Sequence, residues 1–438
     1  MAPSLCPCRN SAQVSLTSHR VKNGDDFVAN LWDVHLRVKE GGYAHTLSLG
    51  LFRSDYMVHE DAGLLQVKQV EFNTIASSFG GLSSQTTQLH QFLAATEYPL
   101  LEKPLEGLGV EESKSVELLA NGLATAFEVY DQPSGPGFGR RPKWPRCILF
   151  VVQDAERNVF DQTHLQYQLA KHNPPIPVFR LPFSGILAHT RVEEESRQLL
   201  YTIPRTSSWP TQKTYEVAAV YFRSGYDPSD YPTQESWDAR YQLERSAAIK
   251  CPTVLTQLAG MKKVQQVLAT PQSASAPSIL SRFLPDGDPS DLAALSETFT
   301  NIYPMDNSAT GLEARTMAQD PERCQAFVLK PQREGGGNNI YKGAIPGFLK
   351  SVPPSHWGSY ILMELIKPPP ARNIILRNGK LEEGGVISEL GIYGTCIWGN
   401  KEILHNEEAG YLLRTKGDKS EEGGVAAGYG CMDSVTLV

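Results

Sequence analysis

The segment FVLKPQREGGGNNIY, residues 327–341, combines residue types that bind phosphate groups. A strand is predicted to end at Lys330, an acid follows at Glu334, and three glycines lead into two asparagines. Consecutive glycines let backbone amides approach a phosphate, the lysine supplies a cation, and the glutamate can hold a metal ion that bridges phosphates. A flexible surface turn would explain the glycines but not the flanking ions. The pattern therefore predicts a phosphate-binding loop.

A second candidate is QVEFNTIASSFGGL, residues 69–82, which begins as a predicted strand. Alternation along a strand places Glu71 and Asn73 on one face. A carboxylate and an amide oxygen two residues apart suit a hard cation such as magnesium, which takes a few protein oxygens together with phosphate oxygens and water. For this pair alone, the polar outer face of an amphipathic strand is the better explanation.

Cationic side chains form a third group. LLRTK ends with Arg414 and Lys416, which share one face if the segment is extended, and EEGGVAAG follows with small residues able to close over a substrate. Arg53 and Arg223 lie beside predicted strands, where guanidinium groups can bind carboxylates through two hydrogen bonds. A solvated basic pair and surface ion pairs are the competing explanations.

The segments that must position these residues predict an α/β fold. CILFVV and VAAVYF predict buried strands, and the apolar spacing of Phe160, Leu165 and Leu169 predicts a helix between them. Further strands are predicted at AFVLK, YILMELI and ISELGIYG. Two Pro/Gly-rich stretches, residues 131–145 and 269–278, are expected to be junctions or surface loops.

Composition bounds the function. A chain of 438 residues favours two or three domains. The net charge of −7, with no long basic run, gives no reason to expect a nucleic acid or membrane partner. Seven cysteines without regular spacing and no apolar run of membrane-spanning length predict a soluble protein in a reducing compartment, the cytoplasm. Walker-type, dinucleotide-binding and zinc-protease motifs are absent from the sequence.

Several segments together resemble one family. From about Asp25 to the C-terminus, the chain is similar to eukaryotic glutathione synthetases of a fungal-like kind, and the segments occur in the same order. The resemblance implies an α/β chain with an ATP-grasp fold, a glycine-rich lid and an inserted parallel α/β domain that binds substrate. The segments that carry it are QVEFNTIASSFGGL, ERNVFDQ, VYFRSGY, QLAGMKKVQQ, FVLKPQREGGGNNIY, YILMELI, ISELGIYG, LLRTK and GGVAAG.

The domain boundaries follow from the same resemblance. Residues 1–24 are an unmatched leader in place of the family's longer N-terminal region, and residues 25–145 are the first part of the ATP-grasp core. Residues 146–263 are the substrate-binding domain. Residues 264–438 complete the core and lid, with a glycine-rich loop at 334–341 and a closing loop at 416–428.

The resemblance also implies which residues bind which ligand. Magnesium is held by Glu71, Asn73 and Glu334, and catalysis depends on Arg53, Lys330 and Arg414. The ATP site comprises Glu71, Lys262, Lys330, Glu334, Gly335, Gly336, Asn339, Tyr341, Met363, Ile366, Glu389 and Lys416. The γ-glutamylcysteine site comprises Arg53, Ser78, Glu156, Asn158, Gln162, Arg223, Tyr226, Arg414, Val425 and Ala426.

The implied reaction is the ATP-dependent joining of glycine to γ-glutamylcysteine through an acyl phosphate, by a homodimer. Such chemistry needs positioning, charge neutralisation and exclusion of water rather than a protein nucleophile. Two alternatives stay open. One is a ligase that uses another amine, such as β-alanine, and the other is a truncated, inactive paralogue that only binds nucleotide or peptide.

Overall fold

The computed structural model describes most of the chain. The predicted leader, except Gly24, and most of the two Pro/Gly-rich stretches lie outside the described residues. The described residues are 24–96, 109–130, 144–205, 213–271, 278–284, 288–377, 379–399, 402–420, 425, 428 and 430–436.

Strands are confirmed at CILFVV, VAAVYF, AFVLK, YILMELI and ISELGIYG, and a helix is confirmed between the first two. The strands of the described residues are β1 Ser48–Asp61, β2 Leu64–Asn73, β3 Arg146–Val152, β4 Val178–Pro182, β5 Thr190–Val192, β6 Leu199–Thr202, β7 Thr214–Phe222, β8 Ile249–Cys251, β9 Ile302–Pro304, β10 Phe327–Lys330, β11 Ile340–Tyr341, β12 Ile361–Glu364, β13 Ala371–Arg377, β14 Lys380–Gly399, β15 Glu402–Gly417 and β16 Cys431–Asp433. Their α-helices are α1 Asp26–Glu40, α2 Gly80–Ala95, α3 Ser115–Val129, α4 Val159–Ala170, α5 Ile186–His189, α6 Gln234–Glu244, α7 Val254–Ala259, α8 Lys262–Leu268, α9 Pro289–Glu297, α10 Ala309–Gln319 and α11 Ala344–Ser351.

Three sheets form the framework. The large sheet is antiparallel, with the order β16, β15, β14, β1, β2 and with β13 beside β14. The small sheet is antiparallel, with the order β11, β10, β12, β9. The mixed sheet has the order β4, β3, β7, β6, β5, with β8 beside β7. These three names are kept below.

The mixed sheet corresponds to the predicted parallel domain. Its pairs β3 with β4, β3 with β7 and β7 with β8 are parallel, as predicted. Residues Cys147–Val152 of β3 are all buried, which explains the unbroken apolar run, because parallel strands are covered on both faces. The edge differs from the prediction, since β6 pairs antiparallel with both β5 and β7. The connection between β5 and β6, residues 193–198, is too short for a crossover.

Helix α3 joins the large and mixed sheets. Its residues Leu119 and Leu123 share one core cluster with Leu49 of β1 and Phe150 of β3. A Cβ atom at Gly122 would lie 2.6 Å from Thr395 Cγ2, so a glycine is needed where the helix meets β14. Arg53 of β1 and Arg223, which follows β7, both bond to the turn after β2, so β1 lies near the carboxyl end of β7, where a binding site is expected.

Helix α1 packs on the other face of the mixed sheet. Phe27, Leu31 and Trp32 belong to the core cluster that also contains Val217 of β7. The helix begins after Asp25, whose side chain caps it by accepting a hydrogen bond from Val28 N at 3.2 Å. Hydrophobic contacts thus cross the proposed boundary at residue 146, and the domain limits stay predictions. In the described part of the chain, no helix is long and apolar enough to span a bilayer.

The buried histidine of α1 should make stability depend on pH. His35 packs against Trp32 at 4.9 Å between ring centroids, and Nδ1 lies 3.2 Å from the Tyr43 hydroxyl. Burial, aided by Lys39, lowers the pKa of His35 to about 4. Below about pH 6.5, His35 binds a proton in the unfolded chain, whereas in the folded chain it stays neutral until the pH approaches about 4. The contribution of His35 to stability is therefore complete above about pH 6.5 and falls, by about 1 to 2 kcal/mol, as the pH approaches about 4.

Urea unfolding between about pH 7 and pH 4.5 checks this expectation for His35. The variant His35→Gln should lose less stability over this range than the unaltered protein, because glutamine does not titrate. The matched control is His356→Gln, which changes an exposed histidine and should keep the original pH dependence. Equal pH dependence in His35→Gln and the unaltered protein would contradict the assignment.

Candidate active site

A cavity of about 850 Å³ lies between the large sheet, the small sheet and the turn after β7. Its walls include the predicted phosphate-binding loop and two of the predicted carboxylate-binding residues, Arg53 and Arg414. The predicted residues that line it are Arg53, Glu71, Asn73, Ser78, Tyr226, Lys330, Glu334, Gly335, Gly336, Asn339, Tyr341, Met363, Ile366, Glu389, Arg414, Lys416 and Val425. Ala426 lies outside the described residues.

Lys262 lies between two carboxylates of the cavity. Its Nζ is 3.0 Å from Glu71 Oε2 and 3.4 Å from Glu334 Oε2. Burial would raise the pKa of Glu71, but Lys262, Lys330 and Arg414 outweigh burial and lower it. The pKa of Glu334 is raised, because its burial and the nearby charge of Glu71 exceed the effect of Lys262. Two carboxylates thus face one ammonium group in a region poor in solvent.

This arrangement fits a bound divalent cation. Glu71 and Asn73 are two positions apart on β2 and lie on the same face of the strand, as the sequence predicts. Among the described residues no cluster of three or more His, Cys, Asp or Glu side chains could hold a metal. Two carboxylates and an amide oxygen are few ligands, but magnesium usually binds few protein groups and takes the rest from phosphates and water.

The glycine-rich segment begins where β10 ends. Lys330 is 4% exposed, and its Nζ donates to Val70 O at 3.0 Å. Burial, with Lys262 nearby, lowers its pKa. Gly335 and Gly337 have φ of +85° and +90°, a region that favours glycine. The segment therefore bends sharply while its lysine stays anchored beside β2.

Asn339 and the residues of β12 form the other wall of the cavity. Asn339 Nδ2 donates to the Tyr341 hydroxyl at 3.2 Å. Met363 pairs with Val328 across the small sheet and belongs to an apolar cluster against which Ile366 packs. An apolar wall beside a phosphate-binding segment is suited to a nucleotide base.

Two arginines of the large sheet meet at one carboxylate. Asp55 Oδ1 accepts from Arg53 Nε at 2.6 Å, and Asp55 Oδ2 accepts from Arg53 Nη2 at 2.9 Å and Arg414 Nη2 at 2.8 Å. Arg414 also pairs with Glu389, its partner across β14 and β15. Burial would lower the pKa of Arg53, but the charge of Asp55 outweighs it and raises the pKa. Both arginines stay charged and face the cavity.

The turn that follows β2 is held through its backbone. Ser78 O accepts from Arg53 Nη1 at 3.1 Å and from the Tyr393 hydroxyl at 2.6 Å. Arg223 Nη1 donates to Ser77 O at 2.9 Å, and Arg223 Nη2 donates to Ser78 Oγ at 2.6 Å. The turn is therefore fixed between the large sheet and the end of β7.

Asp161 secures the same turn from helix α4. Its carboxylate accepts from Phe79 N and Gly81 N, both at 2.8 Å, and lies 3.7 Å from Arg223 Nη2. These amides begin helix α2, and the side chain of its N-cap residue, Phe79, cannot cap it. Asp161 thus acts as a helix cap supplied from a distant part of the chain.

The remaining predicted peptide-binding residues form a second group behind the turn. Glu156 accepts hydrogen bonds from Asn158 N and Gln162 Nε2, and Asn158 Nδ2 lies 3.4 Å from Asp161 Oδ2. This group and Arg223 are not among the lining residues of the cavity, and Ser78 connects them to it. Tyr226 does line the cavity, and its hydroxyl accepts from Gln153 Nε2 at 3.2 Å.

Sequence reasoning missed Asp55 and Asp161. Asp161 lies inside ERNVFDQ, one of the segments that carry the family resemblance, and Asp55 lies on the same strand as Arg53, a predicted carboxylate-binding residue. Asp55 is two residues from Arg53 on one strand, so alternation would have placed both on the same face. For Asp161 no local pattern exists, because it caps a helix that begins about eighty residues earlier.

The base of the glycine-rich segment is tied to helix α1. Arg333 Nη1 pairs with Asp25 Oδ2, and the guanidinium lies 5.6 Å from the centroid of the Phe27 ring. The variant Asp25→Asn keeps the helix cap but loses the ion pair, so we expect a loss of about 1 to 2 kcal/mol in the free energy of unfolding. Asp25→Ala should lose about 1 kcal/mol more, because it also removes the cap.

Urea unfolding of both variants, with Arg333→Gln and the Asp25→Asn, Arg333→Gln pair, measures these terms. The double variant should lose less stability than the sum of the two single losses, because each single variant already removes the same ion pair. Additive losses for Asp25 and Arg333 would contradict the proposed contact.

Comparison with known proteins identifies the family to which this chain is similar. A family model described as the ATP-binding domain of eukaryotic glutathione synthase matches residues 10–437. The chain is 40% identical over 427 residues to the glutathione synthetase large chain of Schizosaccharomyces pombe, covering 94% of this chain and 81% of that protein. It is 39% identical over 429 residues to glutathione synthetase of Homo sapiens, covering 97% of this chain and 82% of that protein.

Among solved structures, a glutathione synthetase-like effector from Globodera pallida in its apo form superposes with a TM-score of 0.66 at 18% identity. The match covers 97% of this chain and 85% of that chain. This likeness concerns the fold alone and confirms the predicted fold class. Because the family model spans nearly the whole sequence and the relatives align with more than nine tenths of it, the chain belongs to the eukaryotic glutathione synthetase family.

Proposed function

We propose that the chain joins glycine to γ-glutamylcysteine with ATP and so makes glutathione. The observation that carries this proposal is one cavity that combines a phosphate-binding segment around Lys330 with two carboxylate-binding arginines, Arg53 and Arg414. Membership of the glutathione synthetase family supports it. Phosphoryl transfer to a carboxylate requires both kinds of group within reach of the same reacting atoms.

The reaction has two steps. The terminal phosphoryl group of ATP passes to an oxygen of the cysteinyl carboxylate, which gives an acyl phosphate and ADP. The glycine amine then attacks the carbonyl carbon, the amide bond forms, the bond to phosphate breaks, and the amine loses a proton. No protein nucleophile is needed, and the chain contributes by binding, orientation, charge and the exclusion of water.

Nucleotide binding is assigned to the walls built from the small sheet and the glycine-rich segment. Lys330, Lys262 and Lys416 would face the phosphates, and Gly335 with Gly336 would close over them as a lid. The base would lie against the apolar wall at Met363 and Ile366, with Asn339, Tyr341 and Glu389 completing the site.

Magnesium would be held by Glu71, Asn73 and Glu334. When bound, the ion neutralises charge on the phosphates and orients them for transfer. Lys262 is already placed between the two carboxylates, so it would share the phosphates with the ion. The chain's own part is to hold three oxygen ligands on β2 and at the start of the glycine-rich segment.

Peptide binding is assigned to the arginines and the turn after β2. Arg53 and Arg414 would bind the carboxylate that reacts and the charge that grows on it. Arg223, Ser78, Glu156, Asn158, Gln162 and Tyr226 would hold the γ-glutamyl end, which carries an amino group and a carboxylate. Val425 and Ala426 would close over the peptide.

The test is phosphate release from ATP and magnesium by the purified chain, with γ-glutamylcysteine, with and without glycine. Release that needs both substrates is expected. Equal or faster release with β-alanine in place of glycine would favour a different acceptor. No release from a folded chain that still binds ADP would favour the inactive paralogue.

Assembly and location are further parts of the proposal. A homodimer is supported by exposed apolar side chains on one helix, Phe160 and Tyr167 of α4, which are 71% and 63% exposed. Sedimentation at several concentrations would test it. A cytosolic location is supported by free thiols at the described cysteines and would be tested by imaging a fluorescent fusion.

A further inference from the structure

Asp55 is a buried carboxylate beside the cavity, next to Arg53 on β1. It is 0% exposed, and its two oxygens accept four hydrogen bonds from three side chains on three strands. Arg53 of β1 donates twice, Arg414 of β15 donates once, and Asn73 of β2 donates once at 2.9 Å. A buried carboxylate with these partners is fully hydrogen-bonded inside the protein, and it is not among the residues that line the cavity.

The charges around Asp55 are unequal. Two guanidinium groups share one carboxylate, and Arg414 is further balanced by Glu389. Without Asp55 the two cations would repel each other in a region of low dielectric, and the hydrogen bonds that orient their planes would be lost. Asp55 therefore keeps two like charges side by side and aimed at the same part of the cavity.

The contact with Asn73 has a separate effect. Asn73 Nδ2 donates to Asp55 Oδ2 at 2.9 Å and to Arg53 O at 3.3 Å. Both amide hydrogens are therefore donated to residues of β1. The amide oxygen must then point away from Asp55. That is the orientation in which an amide can serve as a metal ligand beside Glu71.

The backbone opposite Asp55 leaves no spare room. Asp55 pairs with Gly391 of β14, and a Cβ atom there would lie 2.7 Å from Asp55 Oδ1 and 2.7 Å from Arg53 Cδ. The glycine thus allows the arginine and the carboxylate to lie flat on the sheet. A larger residue would displace the pair without altering any charge.

We propose that Asp55 is the positioning residue that aligns the metal ligand Asn73 with the carboxylate-binding arginines Arg53 and Arg414. This inference rests on the proposed ligase reaction. It deepens that proposal by making magnesium binding and peptide binding depend on one side chain, which itself touches neither ligand.

The expected consequence is a selective change in kinetic constants. Asp55→Asn replaces an acceptor with a group that is partly a donor, so the arginines and the amide lose their common partner. The apparent constant for magnesium and the KM for γ-glutamylcysteine should each rise about tenfold or more, and kcat should fall. The Kd for ADP without magnesium should change less than about twofold, because Asp55 is not among the residues that line the cavity.

The test uses the full chain with two companion variants. Gly391→Ala should give the same selective pattern, since it displaces Asp55 and Arg53 while keeping both charges. The matched control is Glu216→Gln, which alters another fully buried carboxylate, bonded to the Tyr130 hydroxyl at 2.9 Å and away from the cavity. It should leave the magnesium and peptide constants unchanged.

The inference is overturned if a folded Asp55→Asn variant keeps the original magnesium and peptide constants. It is also overturned if all constants, including ADP binding, change in proportion to a loss of stability, as in a general folding defect. If Asp55→Asn does not fold, Gly391→Ala decides between the same two outcomes. Activity of the unaltered chain, measured first, tests the ligase reaction separately.

Discussion

The variant Glu334→Gln is expected to lower kcat by about 10²-fold to 10³-fold at a fixed magnesium concentration. Glu334 and Glu71 are the two carboxylates that face Lys262, and a neutral amide in place of either weakens the hold on a cation. The loss should be partly recovered by raising magnesium, because the ligand set is weakened and not removed.

Phosphate release measured over a range of magnesium concentrations checks this expectation for Glu334. The control is Glu322→Gln, which changes an exposed glutamate that does not line the cavity and should leave the magnesium dependence as it was. If Glu334→Gln lost activity with an unchanged magnesium dependence, its assignment as a metal ligand would be wrong.

The variant Lys330→Met is expected to reduce kcat/KM for ATP by about 10²-fold to 10³-fold. The side chain is buried at the end of β10, and its ammonium group reaches across to Val70 O at 3.0 Å. Methionine preserves most of the volume but supplies no charge for the phosphates. The effect should appear in ATP kinetics and leave the fold largely intact.

A matched control for Lys330 exists in the mixed sheet. Lys250 is also buried, at 5% exposure, and its Nζ donates to a backbone carbonyl, Ser246 O, at 2.8 Å. Lys250→Met should lower the melting temperature without a selective change in the KM for ATP. Similar ATP kinetics in Lys330→Met and Lys250→Met would remove Lys330 from the phosphate site.

The two pairs of variants separate charge from packing. Each compares a residue that faces the cavity with one of the same type that does not. A buried ion that is paired inside the protein affects mainly the free energy of unfolding, whereas an ion placed for a ligand affects the reaction. Stability and kinetics measured on the same samples are therefore both needed.

Several features of the site could be predicted from short segments. Alternation along β2 placed Glu71 and Asn73 on one face, and the same rule paired Arg414 with Lys416 on β15. The run of glycines after Lys330 predicted a loop whose backbone can approach phosphate, and in the structure Gly335 and Gly337 have positive φ. These predictions hold because they depend on the geometry of a few consecutive residues.

The sequence by itself thus determined which residue types carry charge, where the glycine-rich segment lies and which residues share a strand face. Only the tertiary structure decided that Lys262 lies between Glu71 and Glu334, and that Asp55 joins Arg414, which is 359 positions away in the chain. These contacts depend on strand order and register in the large sheet and on the packing of the sheets around α3. Such long-range pairings result from the burial of whole faces and leave no signal in a local pattern.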